Sequence, residues 1–153
     1  MKSSPLTTLV GCAVAAVLCS PHPAHATCSI SASSVSFGAY DVFASAPLDS
    51  TGSVTFNCTA NEKNISIMLN TGSSGSFSAR TMRKTGETLN YNLYLDAARS
   101  IIWGDGTGGT QYYFDKNPPN KKDVVVTIYA RTPAGQDAAT GSYTDTITAT
   151  INF

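Results

Sequence analysis

The sequence predicts an all-β domain of the exported type, and three observations support this prediction. Charged residues make up only 13% of the chain, which is about half of the usual fraction in globular proteins. Serine, threonine, asparagine and glycine carry the polarity instead. Short runs in which apolar and polar residues alternate are separated by turn residues, and no stretch shows a helical period of useful length. Several short strands of this kind are typical of a β-sandwich or a β-barrel.

Seven strands are predicted, of which the fifth is short. In chain order they cover residues 30–37, 53–58, 65–69, 89–95, 101–103, 124–129 and 147–153. The first strand ends at Gly38. The second alternates through Val54 and Phe56, and the third ends before the turn-forming residues 70–72. Glycine and asparagine at these positions favour turns, so the three segments are bounded as strands should be.

The later strands follow the same period of two residues. In the fourth strand Leu89, Tyr91 and Leu93 share one face, and in the sixth every second residue from Val124 is apolar. The last strand places four apolar residues on one face: Ile147, Ala149, Ile151 and Phe153. An apolar strand of this kind is either paired within a sheet or prone to associate. The connections 72–86 and 104–123 are predicted to be loops.

Residues 1–26 are predicted to be a secretory signal peptide. Lys2 gives a positive start, an apolar stretch covers residues 9–18, and Ala24-His25-Ala26 fits a cleavage site of small residues. The apolar stretch is too short to cross a membrane. Cleavage after Ala26 would leave one domain, residues 27–153, exported through the periplasm.

The processed chain is expected to lack the residues that most enzyme classes need. Both histidines, His22 and His25, fall within the predicted leader, which argues against a histidine-based triad or metal site. Three carboxylates that could serve a glycosidase lie in turn-like contexts, where aspartate usually caps backbone amides: Asp96, Asp105 and Asp115. We therefore expect no catalytic residue, metal or cofactor. Ten basic and ten acidic residues in the whole sequence give no electrostatic footprint for nucleic acid.

Two cysteines remain after the predicted cleavage, Cys28 and Cys58. In an exported domain, such a pair is expected to form a disulfide. Closing the loop between them would contribute about 3–4 kcal/mol of stability.

An aromatic cluster in the second long loop and just before it is a candidate surface-binding site, formed by Trp103, Tyr112, Tyr113 and Phe114. Three consecutive aromatic residues in a strand cannot all face one core, so at least one should be exposed. The exposed rings would bind a glycan or a hydrophobic surface. Alternatively, the loop folds back and covers the end of the domain.

Short motifs along the chain resemble those of the spore coat protein U domain family. Each motif is weak alone, but together they follow the family order over nearly the whole of residues 28–153. They are Cys28-Ser29-Ile30, Arg80-Thr81-Met82, Asn152-Phe153 and residues 35–41, 47–52, 89–94, 96–99, 103–107, 133–136 and 141–146.

The resemblance implies an immunoglobulin-like β-sandwich that is incomplete, with six strands of its own and a donated seventh. In pilus members of the family a periplasmic chaperone supplies the missing strand first. A neighbouring subunit replaces it by β-strand addition as the outer-membrane usher exports the fibre. The acceptor groove would lie between the first and last strands, lined by Ile30, Val35, Phe37, Ile147, Ala149, Ile151 and Phe153.

The function implied is that of a structural subunit of an archaic chaperone–usher pilus, acting in adhesion and biofilm formation at the cell surface. After cleavage only Thr27 would precede Cys28, so we expect the chain to accept a strand without donating one, which suits the tip of a fibre. Two alternatives stay open. The chain would be a surface-binding, lectin-like adhesin module, or a secreted spore or cell coat protein that does not polymerise.

The position of the processed N-terminus is the first testable prediction. Mass spectrometry of the secreted protein should find a chain that starts at Thr27, with a mass lower by two hydrogen atoms for the disulfide. A lipid attached to Cys12, which follows Leu9-Val10-Gly11, is the competing outcome and would contradict cleavage after Ala26.

Overall fold

The computed structural model describes residues 27–153 as two antiparallel sheets that pack against each other. The predicted leader and Cys12 lie outside the described residues. The strands are β1 (Cys28–Ser33), β2 (Leu48–Cys58), β3 (Ile65–Leu69), β4 (Arg80–Lys84), β5 (Glu87–Tyr94), β6 (Tyr113–Asp115), β7 (Val124–Thr132) and β8 (Ala149–Asn152). A single 3-10 turn, Gly72–Ser74, is the helical element of this part of the chain. Within it, no helix has the length and apolar character that crossing a membrane requires.

One sheet has five strands in the order β1-β2-β7-β5-β4, and the other has three in the order β6-β3-β8. The β1–β2 register places Cys28 opposite Cys58, and a disulfide joins the two residues. The expected disulfide is therefore confirmed. It connects the edge strand β1 to its neighbour at the end of the sheet where the described chain begins.

The core lies between the two sheets and follows the period of two that the sequence shows. In each long strand the inward residues are apolar, because successive side chains of a strand point to opposite faces. The buried apolar residues of the strands are Val54, Phe56, Cys58, Ile65, Ile67, Leu69, Leu89, Tyr91, Leu93, Val126, Ile128 and Ala130.

Two strands form where the sequence predicts loops. β4 pairs with β5 across a two-residue turn that ends at Gly86, whose φ is +77°. Its sequence contains three basic residues and one apolar inward residue, Met82, so that hydrophobic alternation gives little signal. β6 pairs with β3 over only three residues, and the consecutive aromatics of this segment hide its alternation.

Other predicted strands are shorter than expected or absent. Residues 34–37 continue from β1 without joining a sheet, and residues 147–148 precede β8 in the same way. Residues 101–103 make only isolated bridges, Tyr94–Ile102 and Trp103–Gln111. Conversely, β2 begins at Leu48 rather than Ser53, because its first half pairs with the end of β7.

Trp103 connects the two sheets. The side chain is fully buried, its indole Nε1 donates to the carbonyl of Ile67 in β3 at 2.9 Å, and its backbone N–H donates to the carbonyl of Leu93 in β5 at 2.9 Å. One residue of a loop therefore forms hydrogen bonds to both layers of the sandwich.

Arg80 is also fully buried, beside Trp103. Its guanidinium donates to the Asn70 carbonyl from Nε and Nη2 at 3.1 and 2.9 Å, to the Trp103 carbonyl at 2.7 Å and to the Asn92 Oδ1 at 2.8 Å. Both salt bridges found in residues 27–153 involve Asp49 and other arginines. Burial lowers the pKa of the guanidinium, and neutral oxygens accept from four of its five N–H donors.

Replacing Arg80 should cost much more stability than replacing its neighbour Arg83. Arg80→Ala leaves the carbonyls of Asn70 and Trp103 without their donor, and each lost partner of a buried polar group costs about 1–3 kcal/mol. We expect a loss of at least about 3 kcal/mol for Arg80→Ala and less than about 1 kcal/mol for Arg83→Ala, whose side chain is exposed. Urea unfolding followed by the fluorescence of Trp103, the only tryptophan, measures both. Equal losses would contradict the role given to Arg80.

Candidate functional site

An open groove separates the two sheets along one side of the sandwich. It is a cavity of about 460 Å³ that lies between residues 32–37 and residues 143–149. Its floor consists of apolar core residues from both sheets: Val54, Leu69, Tyr91, Leu93 and Ile128. We call residues 34–40 the first wall and residues 143–149 the second wall.

The first wall makes no backbone–backbone hydrogen bond within residues 27–153. Ser50 Oγ donates to the Ser36 carbonyl at 2.6 Å, and this side-chain contact holds the wall near β2. Gly52 allows the close approach, because a Cβ at this position would lie 2.8 Å from the Val35 Cγ2. The wall therefore lies along the sheet without being paired to it.

The second wall is paired on one side only. Thr144 exchanges backbone hydrogen bonds with Arg83 in β4, and the Thr148 carbonyl accepts from the Asn70 N–H at 3.1 Å. Within the described chain, the backbone groups of Asp145 and Ile147 have no backbone partner. Because alternate residues of an extended chain direct their N–H and C=O groups to opposite sides, these groups point toward the groove.

Along both walls, half-buried apolar side chains alternate with exposed polar ones, as they do in a strand of a half-buried sheet. Val35 and Phe37 of the first wall, and Ile147 and Ala149 of the second, are half-buried and pack against the core. Ser36 and Thr148 between them are exposed. The groove thus has an apolar floor, apolar flanks and two strips of unpaired backbone, which is the environment that a further strand would fill.

A second cavity of about 740 Å³ continues the groove. It lies between residues 38–43 and residues 138–143, over the side chains of Leu48 and Leu89. Both cavities share the residues at their junction, which are Val35, Phe37, Met82 and Tyr143. The two cavities therefore form one continuous depression.

Asp145 fixes the second wall to the rest of the domain. Its carboxylate accepts from the Tyr91 hydroxyl at 2.6 Å and from the Ser73 backbone N–H at 3.0 Å. Gly72, with a φ of +62°, is required beside it, because a Cβ there would collide with the carboxylate. Burial alone would raise the pKa of Asp145, but these hydrogen bonds outweigh it and the pKa is lowered. Burial and the Asp145 contact raise the pKa of Tyr91.

The predicted groove residues separate into two sets. Val35, Phe37, Ile147 and Ala149 line the groove. Ile30 and Ile151 pack against the core outside its lining, and Phe153 is 54% exposed. Sequence reasoning missed Met82, Tyr91, Tyr143 and Asp145. Their only signal was their presence in the family-like motifs, since a strand pattern does not show which residues lie at an open edge.

The predicted aromatic cluster does not share one surface. Trp103 is buried, and the ring of Tyr113 packs in the core, with its centroid 6.1 Å from that of Phe56 and 6.4 Å from that of Trp103. Tyr112 and Phe114 are 40% and 54% exposed. Among residues 27–153 there is no group of three His, Cys, Asp or Glu side chains that could hold a metal ion.

Comparison with known families connects this geometry to a protein class. The model of the Spore Coat Protein U domain matches residues 13–150. The chain belongs to this family. A curated relative, Protein U of Myxococcus xanthus, is 34% identical over 131 residues, which cover 78% of this chain and 71% of Protein U. The resemblance inferred from the motifs is confirmed.

A solved structure confirms the fold class. The structure is the complex of CsuC and CsuE, a chaperone–tip adhesion subunit pre-assembly complex from the archaic chaperone–usher Csu pili of Acinetobacter baumannii. It matches with a TM-score of 0.58 at 22% identity, over 84% of this chain and 40% of the matched chain. The chain therefore spans about two fifths of the length of that matched chain. The shared architecture is an all-β, immunoglobulin-like sandwich.

The lowered pKa of Asp145 predicts how the domain responds to acid. A carboxyl with a lowered pKa in the folded state contributes stability above its unfolded pKa of about 3.9, and this contribution is lost as the pH falls toward the folded pKa. Between about pH 6 and about pH 3, the urea concentration at the unfolding midpoint should therefore fall less for Asp145→Asn than for the wild type. Tyr91→Phe, which removes one donor and keeps the carboxylate, should reduce it less. If the urea midpoint of Asp145→Asn falls with pH as much as that of the wild type, the stabilising role of the Asp145 carboxylate is wrong.

Proposed function

We propose that this chain is a secreted structural subunit of an archaic chaperone–usher pilus, and that its groove accepts a β-strand from a partner protein. One observation carries the proposal. Two strips of unpaired backbone flank an apolar floor, and one of them, at Asp145 and Ile147, belongs to a segment already paired on its other side. The family and the fold similarity to CsuE support it.

The physical basis is β-strand addition. Main-chain hydrogen bonds to both walls would provide affinity, and alternate side chains seated on the floor would fix the register. Each apolar side chain buried there contributes about 1.5–3 kcal/mol before the cost of ordering the strand. A few such side chains give an interaction strong enough for a lasting assembly.

The partners proposed are a periplasmic chaperone, the outer-membrane usher and a neighbouring pilus subunit. The chaperone would occupy the groove first, by analogy with CsuC and CsuE, which form a chaperone–subunit complex before assembly. The pilus would place the chain at the cell surface, where we propose roles in adhesion and biofilm formation. Cleavage after Ala26 would leave Thr27 as the only residue ahead of β1, and this favours the tip of the fibre.

Two further functions have specific observations in their favour. Phe114 of β6 and Tyr112, just before this strand, are exposed, and such rings suit an adhesin that binds a glycan or a hydrophobic surface. The chain is 34% identical to Protein U and belongs to a family whose name refers to the spore coat. This favours a secreted coat protein that does not polymerise. Binding of a glycan or a hydrophobic surface by the isolated protein would favour the adhesin function over a purely structural role in the pilus.

Strand acceptance is tested by placing a charge on the groove side of the second wall. Ile147→Asp would bury a carboxylate beneath the incoming strand, whereas Thr150→Asp places the same charge on an exposed position of β8. When each variant is co-expressed with the periplasmic chaperone of the same organism, Ile147→Asp should lower the yield of co-purified complex at least tenfold. Thr150→Asp should match the wild type.

One outcome would contradict the proposed function. If the wild-type protein is purified as a stable monomer without any chaperone, and neither a chaperone nor an apolar strand peptide raises its unfolding temperature, the pilus function is wrong. Circular dichroism and disulfide formation confirm that each variant has folded.

A further inference from the structure

The strand β6 forms one edge of the three-stranded sheet, and β8 forms the other. The groove lies on the β8 side, because its second wall leads directly into β8. The edge at β6 is therefore a separate surface, and a molecule bound there would leave the groove open. Tyr112 and Phe114, at this edge, are among the exposed large apolar residues of the described chain.

The hydrogen bonds of β3 show which backbone groups of β6 are free. The Asn70 N–H donates toward the β8 side, and the Leu69 N–H donates to the Gly104 carbonyl at 3.1 Å on the β6 side. Even-numbered residues along β3 therefore bond toward β8, and odd-numbered residues bond toward β6. Tyr113 and Asp115 lie opposite odd-numbered residues of β3, so their backbone groups point into the sheet.

The alternate residues of this segment, Tyr112 and Phe114, direct their N–H and C=O groups outward. Gln111 has the same phase as Tyr113, because its N–H donates to the Ile102 carbonyl at 3.0 Å and its carbonyl accepts from the Gly104 N–H at 2.7 Å. Within residues 27–153, the outward backbone groups of Tyr112 and Phe114 have no hydrogen-bond partner. Both the side chains and the backbone of these two residues are thus open to solvent.

The alternation ends just beyond β6. Asn64, whose φ is +57°, donates its N–H to the Lys116 carbonyl at 3.1 Å, so that this carbonyl also points into the sheet. The Asn117 N–H then donates to Asp115 Oδ1 at 2.9 Å in a turn. The free backbone is therefore confined to residues 112–114, which we call the β6 edge.

A second copy of the β6 edge is complementary to the first. In an antiparallel pair about a two-fold axis at Tyr113, Tyr112 of each copy lies opposite Phe114 of the other. Every outward N–H and C=O group of these two residues then gains a partner, and each exposed ring lies beside a ring of the other copy, which stabilises cross-strand pairs. Next along the pair, Gln111 lies opposite Asp115 of the other copy, so no like charges are opposed.

We propose that the β6 edge is a self-association site, at which two copies of this chain pair antiparallel about Tyr113 and join their three-stranded sheets into one continuous sheet. The edge is short, and small interfaces bind weakly, so the dimer is a reversible one. The contact does not involve the groove, and strand acceptance and edge pairing can therefore each fail without the other.

Sedimentation equilibrium of the full chain in its secreted form measures the association. Phe114→Asp removes a ring of the pair and places a charge at the edge, which opposes strand pairing, and it should raise the dimer dissociation constant at least about tenfold. Val125→Asp is the matched control, because Val125 is 64% exposed on β7 of the other sheet, and it should match the wild type. Ile147→Asp, in the groove, should leave the dimer intact.

Three outcomes would overturn the inference. The first is a wild type that stays monomeric at the highest concentration at which it is soluble, including the case in which Phe114 instead binds a glycan or a hydrophobic surface. The second is a Phe114→Asp variant that dimerises as the wild type does. The third is a dimer that Ile147→Asp abolishes while circular dichroism shows this variant folded, because the association would then run through the groove.

Cysteine cross-linking tests the register independently of these variants. Directly opposed residues of a hydrogen-bonded pair have Cα atoms about 5.5 Å apart, which a disulfide can span, whereas diagonal neighbours are about 7–8 Å apart. A mixture of Tyr112→Cys and Phe114→Cys should therefore form a mixed disulfide on mild oxidation, and each variant alone should form little. Mild reduction first frees the new thiols, and mass spectrometry confirms that the bridge between Cys28 and Cys58 is retained. Cross-linking of either variant with itself as readily as with the other would overturn the pairing about Tyr113.

Discussion

The shape of the groove depends on the buried contacts that connect the two sheets. Arg80 donates to the carbonyls of Asn70 and Trp103, and Trp103 in turn donates to β3 and β5. These bonds fix the distance between the layers, because buried hydrogen-bonding groups leave little freedom for sliding. Asn70 also donates its N–H to the Thr148 carbonyl, and its side-chain oxygen accepts from the Thr148 N–H. The second wall is thus placed through the same residue that binds Arg80.

Much of the fold follows from the sequence because burial on one face requires a period of two. β2, β3, β5 and β7 carry that period over five or more residues, and all four form where it predicts. β4 is different, since its buried residue is the charged Arg80 and Met82 is the one apolar residue on its inner face. β6 is different again, because Tyr112, Tyr113 and Phe114 are all large and apolar, and only the sheet shows that Tyr113 is the one that packs against Phe56. Local patterns record burial, whereas edges and short strands are determined by tertiary contacts.

The site was less predictable than the fold for the same reason. Val35, Phe37, Ile147 and Ala149 lie in the groove because they alternate within the first and last apolar runs. The position of the opening along those runs is set by distant residues. Gly52 allows the first wall to pass close to β2, and Gly72 allows Asp145 to approach the 3-10 turn. Neither glycine interrupts a hydrophobic pattern in a way that identifies a groove. Asp145 itself resembles an ordinary turn residue until Tyr91 is seen to donate to it.

Few ionisable side chains line the groove, so charge would contribute little to the recognition of a strand there. Besides tyrosines, the ionisable groups in the linings of the two cavities are the carboxylates of Asp145 and Asp41, and each already accepts backbone or side-chain donors of the chain. Recognition would rest on apolar fit and on main-chain hydrogen bonds, which salt screens weakly compared with exposed ion pairs. An open apolar floor of this kind is also a hazard in water, since any extended apolar chain satisfies the same walls. Covering the groove would therefore remove both the exposed apolar surface and the unpaired backbone groups.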